Sequence, residues 1–215
     1  MSGILAAMLG AEGGQVFDTR LSTTDKSPDY GVDTGGETAG LGANRSAAGN
    51  AWRMGRATVG RNEGRWYFEA RPRITATSGY LIMGLANANA PLDTYLNTDN
   101  NGVAFISNGD VRRGSNLTAA TAQAWTTATQ WARLAVDLDA DVFWASVVGG
   151  NWNGSPTANP ATGAGGVAMP ASMVSDGKLI IPAYSIYQQG LGIIFNFGAS
   201  AFAGAPPAGF SAWNG

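Results

Sequence analysis

WARLAVDLDADVFWASVV, residues 131–148, alternates side chains on both sides of an acidic centre. Leu134, Val136 and Leu138 fall on one face of a first strand. Phe143, Ala145 and Val147 share one face of a second, and Asp139, Ala140 and Asp141 form the tip between them. Successive residues of an extended chain point to opposite faces, so this pattern predicts a β-hairpin with one face in a core.

The period of two continues outward from the hairpin. RWYFEARPRI (65–74) sets Trp66, Phe68 and Ala70 against Tyr67, Glu69 and Arg71. YLIMGLA (80–86) is a short apolar run of the kind buried on both faces. GVAFIS (102–107) follows the turn-rich NTDNNG (97–102). KLIIPAYSIY (178–187) and LGIIFNFG (191–198) complete the set, separated by Gln188, Gln189 and Gly190. VFDTRLS (16–22) reads as a loose first strand and GGETAGLGANRSAAGN (35–50) as a loop. Helical spacing is confined to the first dozen residues and to 118–125. Short strands joined by Gly and Asn turns predict an all-β chain, an antiparallel sandwich or barrel formed by residues 17–215.

Composition narrows the chemistry. Of 215 residues, 13% are charged, about half the usual share, so Asn, Thr, Ser and Gly must cover the surface. A net charge of −2 provides no basic excess to release counterions from nucleic acid. The chain has no cysteine and no histidine, which excludes disulfides, thiol chemistry, Ser-His-Asp triads and His-bound zinc. Only oxygen-ligand metals stay open. No basic residue precedes Arg20, so the first residues do not read as a secretion signal. The apolar run from Ile4 to Leu9 is too short to span a bilayer. Residues 1–16 are expected to be a short N-terminal arm that docks on another protein through Ile4, Leu5, Met8 and Leu9.

Candidate sites are few. Glycoside hydrolysis needs two carboxylates held several ångströms apart. The four glutamates, Glu12, Glu37, Glu63 and Glu69, have no carboxylate at the alternating spacing of a catalytic strand. Asp137, Asp139 and Asp141 do alternate, but they run into a hairpin tip, where acidic residues favour the turn and stay solvated. No catalytic residue is expected, and no cofactor. NTDNNG and the Asn108–Asp110 pair hold too few acids for calcium, so no metal site is expected either. A carbohydrate site is the sharper reading. Sugars stack their C–H faces on aromatic rings while amides and hydroxyls bond their hydroxyl groups. GGNWNGSP (149–156) places Trp152 between Asn151 and Asn153 in a glycine-rich loop. Asp93, Tyr95, Asn97 and Asp99 make a second cluster, and Trp125 and Gln188 are weaker candidates. The competing reading has Trp152 folded down onto the hairpin as a plug. Seven of the eleven arginines lie between 45 and 73, either as a face for an acidic partner or as solvated strand ends.

Five stretches carry a family resemblance: GRWYFEA (64–70), IMGLAN (82–87), WARLAVDLDADVFWASVVGGNWNG (131–154), NPATGAGGV (159–167) and NFGASAFAGAPPAGF (196–210). In order and spacing they resemble the SPRY-type domain, a concanavalin A-like jelly roll, over about residues 45–213. Two departures stand out. TTATQWARLAVDLD lacks the aspartate that usually opens the long hairpin, and VVGGNWNG replaces a Lys-Asn-Gly ending. The resemblance implies an antiparallel β-sandwich whose last strand returns beside its first. It also implies a Pro/Gly tail laying Phe195, Phe197, Phe202, Phe210 and Trp213 along a sheet edge. The last two stretches resemble bacteriophage members. That implies a virion protein of spike, fibre or decoration type, not an enzyme, oligomeric within the particle and binding other capsid or tail proteins. Host surface polysaccharide is the expected ligand, with no nucleic acid and no membrane as partner. A purely structural decoration protein is the alternative, and a glycan-degrading enzyme a more distant one.

Overall fold

A computed structural model describes residues 18–36, 38–115, 117–177 and 179–215. The expected arm, with Ile4, Leu5, Met8 and Leu9, lies outside the described residues. The strands in chain order are β1 (Leu21–Lys26), β2 (Tyr30–Val32), β3 (Gly42–Arg45), β4 (Met54–Ala57), β5 (Arg65–Pro72), β6 (Leu81–Ala86), β7 (Gly102–Ile106) and β8 (Asp110–Arg113). They continue with β9 (Leu117–Thr121), β10 (Ala132–Asp137), β11 (Val142–Val147), β12 (Val167–Ala168), β13 (Ile181–Ile186), β14 (Gly192–Asn196) and β15 (Ser211–Ala212). They form two sheets, ordered β1-β4-β13-β6-β7-β8-β9 and β12-β11-β10-β5-β14-β3-β2, with β15 added to β5. Every pairing is antiparallel except that of β15 with β5. The expected antiparallel β-sandwich is the observed fold.

The deciding hairpin forms as its alternation requires. β10 and β11 pair from Ala132–Val147 to Asp137–Val142 without a slip. Leu134, Val136, Phe143, Ala145 and Val147 enter the core between the sheets, opposite Met83, Leu85 and Phe105. Asp137 departs from the expectation that the tip acids stay solvated, for it is buried. One carboxylate oxygen accepts the Asp139 and Ala140 amides at 3.1 and 3.0 Å, closing the turn. The other meets Arg65 Nε at 2.7 Å. A buried carboxylate needs such partners.

Both outer faces are covered as well, which is why β5, β6 and β7 are buried almost throughout. Over the first sheet, the 87–101 loop seats Leu96 against Gly84 and Gly102. A Cβ at either glycine would stand 2.9 Å from a Leu96 methyl. Over the second sheet the C-terminal tail is the cover. Phe202 meets Tyr67 edge-on at 4.8 Å, and Phe210 meets Trp144 at 6.2 Å. Glu69 is fully buried beneath the tail and accepts the Ala203 and Gly204 amides, each at 2.8 Å.

Four expectations are corrected. Of the expected 16–22 strand, residues 18–20 are not strand and β1 begins at Leu21, with Thr19 tied to Asn214; Val16 and Phe17 lie outside the described residues. The 35–50 segment contains β3, with Ala43 and Arg45 buried. Gly42 and Ala43 are too small to write an apolar period, so the strand is hidden. Residues 118–125 are not helical, since Leu117–Thr121 is the edge strand β9. Finally, the last long strand does not return beside the first. β14 lies between β3 and β5, and β1 sits in the other sheet. The tail instead fills β5 beyond the end of β14, pairing Ser211 with Trp66 and Ala212 with Tyr67. Trp213 then drops into the core and meets Phe68 edge-on at 5.6 Å.

Candidate binding site

The two predicted clusters lie on the outer faces of different sheets, so they do not form one site. Trp152 opens a tight turn, Trp152–Gly154, and packs on the Tyr67–Trp144 group outside the second sheet. The Arg133 guanidinium covers the ring at 4.1 Å from its centroid. Arg133 also donates to the Gly150 carbonyl at 3.0 Å. A sugar stacking there has to displace a cation that already holds a cation–π contact. Asn153 is buried with φ of 50°, its amide spent on the Ala145 N–H at 2.9 Å and the Gly165 carbonyl at 2.8 Å. Asn151 is exposed and lines a polar cleft with Gln123 and Gly149.

Tyr95 stands in different company. Its ring lies 5.6 Å from that of Trp52, Trp52 lies 5.2 Å from Tyr187, and Tyr187 lies 4.8 Å from Tyr80. All four rings are half-buried, with an apolar body packed and an edge in water. Sheet order assembles them. β4, β13 and β6 are neighbours, and Trp52, Tyr187 and Tyr80 flank those strands at one shared end. The Tyr187 N–H donates to the Tyr80 carbonyl at 3.0 Å, and the Ala51 N–H to the Tyr187 carbonyl at 3.1 Å. The 87–101 loop supplies Tyr95 from above.

Trp52 and Tyr95 wall a cleft of about 240 Å³ floored by Ile82 and Ile106. Arg112 and Asn108 line its polar side. Asp110 bridges these two, meeting Arg112 Nη2 at 2.6 Å and accepting from Asn108 Nδ2 at 3.2 Å. Aromatic walls beside a few fixed polar groups suit a ligand with apolar faces and hydroxyl edges. Asp99, the other member of the cluster, does not line this cleft. Its carboxylate accepts the Asn101 backbone and side-chain N–H groups, each at 2.9 Å, and so shapes a turn. Trp125 is fully buried beside Phe105, and Gln188 is half-buried next to Tyr187.

Two solved structures resemble this architecture. The SPRY domain of human HERC1 superposes with a TM-score of 0.56 at 11% identity, covering 80% of this chain and 97% of its own. The PSpry domain of TRIM65 gives 0.54 at 7% identity, covering 83% of this chain and 91% of its own. The fold is SPRY-type. The chain matches no family model and no curated protein.

The SPRY-type frame also disposes of the arginine cluster. Arg45 and Arg53 share Asp29 at 3.4 and 3.0 Å, Arg56 meets Asp25 at 2.7 Å, and Arg73 meets Asp33. Arg65 holds Asp137. Arg61 donates to the Trp213 and Gly215 carbonyls, and Arg71 to Ala128 while facing the Trp131 ring. Arg45 and Arg56 are buried, while Arg65 stays exposed at the start of β5, as the strand-end reading expects; each of the seven already holds a partner within the fold. Their acidic partners lie outside the 45–73 window, Asp25, Asp29 and Asp33 before it and Asp137 after it, and reach it through the fold.

Proposed function

We propose that this chain is the binding module of a bacteriophage virion protein of spike, fibre or decoration type. It recognises host surface glycan in the cleft walled by Trp52 and Tyr95. The observation that carries the ligand reading is the run of four half-buried rings, Tyr95, Trp52, Tyr187 and Tyr80, beside the polar Arg112 and Asn108. Rings held in place by packing lose little freedom when a sugar stacks on them. The amide and guanidinium then select its hydroxyl pattern. The virion setting draws its support from the stretches 159–167 and 196–210 and from a surface poor in charge. Tyr95 is thus kept from the sequence reading, while Trp152, already covered by Arg133, moves to a structural role.

The test is binding of the labelled protein to candidate host cells before and after periodate oxidation of surface sugars. Expected is periodate-sensitive binding that Tyr95→Ala abolishes and Trp152→Ala, if folded, retains. Periodate-resistant binding, or loss with Trp152→Ala alone, defeats the assignment.

A further inference from the structure

The free edge of the first sheet offers a second surface, away from the aromatic cleft. Among the described residues β9 pairs only with β8, and it is exposed except at Ala120, which is half-buried against the core. Its sequence, LTAAT, contains no charge and no proline. Those are the usual guards of an edge strand, whose unpaired N–H and C=O groups otherwise template another chain. One guard is present, a register shift that skips Ala119 between Thr118 and Ala120. The Thr121 end is closed by a loop, since a Cβ at Gly154 would stand 1.9 Å from the Thr121 carbonyl oxygen. The Leu117 end is open.

That open end borders a cavity of about 560 Å³. Arg113, Leu117, Ser115, Asn100 and Pro170 line it. Arg113 and Leu117 are direct cross-strand partners, so their side chains share a face. Leu117 is half-exposed, one of three large apolar side chains so placed among the described residues. Arg113 is exposed, and among the described residues no acidic side chain pairs with it. Its neighbour Arg112 is by contrast tied to Asp110. Gly114 lets the walls close in, because a Cβ there would meet Asn100 Oδ1 at 2.3 Å and Pro170 Cγ at 2.8 Å. Ser115 follows in a left-handed conformation, φ of 50°.

We propose that β9 and this cavity form a docking site for an extended acidic peptide segment of a neighbouring protein. The segment adds as a strand along Leu117–Ala120, its backbone satisfying the β9 edge. One Asp or Glu side chain turns into the cavity and pairs with Arg113, and an apolar neighbour covers Leu117. Charge complementarity sets the acidic preference, and the lack of an aromatic wall disfavours a sugar. This site is independent of the glycan reading and of Tyr95.

The experiment selects a displayed library of random linear peptides on the full-length immobilised protein. Enriched peptides are then synthesised with their acidic residue intact or amidated. Expected is a shared Asp or Glu, about fivefold weaker binding to Arg113→Gln, the scale of one partly shielded ion pair, and slowed amide exchange in 117–121. Binding to Tyr95→Ala should be unchanged, which separates this outcome from the fate of the glycan site. No enrichment, equal binding of the amidated peptides, or protection elsewhere on the sandwich overturns the proposal. Arg113-dependent binding of a uronic acid oligosaccharide together with failure of every peptide assigns the cavity to sugar and overturns it too.

Discussion

Tyr30 and Tyr184 stack in the core with ring centroids 5.4 Å apart and planes 25° from parallel, yet their hydroxyls are treated oppositely. The Tyr30 hydroxyl lies between the Arg53 and Ile186 carbonyls and accepts the Ile186 N–H at 2.7 Å. It ties the loop before β4 to the end of β13. The Tyr184 hydroxyl is buried and has no hydrogen-bond partner among the described residues. Tyr30→Phe should therefore cost about 1–3 kcal/mol, because a buried N–H loses its acceptor and a buried carbonyl its donor. Tyr184→Phe should be neutral or stabilising, because it removes an unpaired polar atom. Chemical denaturation of both variants checks this. Equal losses would mean that Tyr184 has a partner of its own.

The same burial makes the fold sensitive to alkali. Burial pushes the phenols of Tyr30, Tyr67 and Tyr184 well above the ordinary tyrosine value. For Tyr67 the hydrogen bond to Glu69 and the charge of that carboxylate add to the effect. In the unfolded chain these groups ionise near pH 10. Their contribution is complete below that pH and is lost as pH rises above it, by about 1.4 kcal/mol per pH unit for each phenol held neutral. Tyrosinate absorbance should show three of the six tyrosines resisting titration and then ionising together as the chain unfolds. A smooth titration of all six with the fold intact would contradict the burial.

Glu69 should prove to be the clamp of the C-terminal tail. It accepts the Tyr67 hydroxyl at 2.6 Å as well as the Ala203 and Gly204 amides. Glutamine has one acceptor oxygen in place of two, so Glu69→Gln leaves at least one buried donor poorly matched, at about 1–3 kcal/mol. Hydrogen exchange should quicken at Ala203 and Gly204 more than in β6. Uniform quickening across the sandwich would show a core defect and no local clamp.

What the sequence reveals of this fold follows from how local each signal is. The 131–148 hairpin was legible because large apolar residues alternate within one stretch. β3 was not, because Gly42 and Ala43 hide the period, and Arg45 enters the interior only by meeting Asp29. The Trp152 loop showed a ring among amides but not the Arg133 guanidinium above it, which comes from β10. The aromatic run is the extreme case. Trp52, Tyr80, Tyr95 and Tyr187 are scattered through the chain and become neighbours only through the order β4-β13-β6. Only Tyr95 had a local setting, beside Asn97 and Asp99, that pointed toward a ligand. An aromatic residue flanking each of three strands was the signal available for the rest.

Asn97 tests the backbone of the loop that carries Tyr95. It is buried with φ of 67°, and neither atom of its amide has a hydrogen-bond partner among the described residues. Left-handed backbone is easy for glycine and costs about 1 kcal/mol or more for a residue with a Cβ. Asn97→Gly removes the unpaired amide and relieves that cost together, so it should hold or raise stability. Asn97→Ala removes the same amide but keeps a Cβ in the left-handed conformation, so it should be less stable than the glycine variant by about 1 kcal/mol. Thermal or denaturant melts of the pair isolate the backbone contribution, since both substitutions delete the same polar group. An alanine variant as stable as the glycine one would refute the left-handed geometry. A loss of about 2 kcal/mol in both would show that the amide holds a partner, and Tyr95 would then owe its position to that bond as well as to Leu96 seated on Gly84 and Gly102.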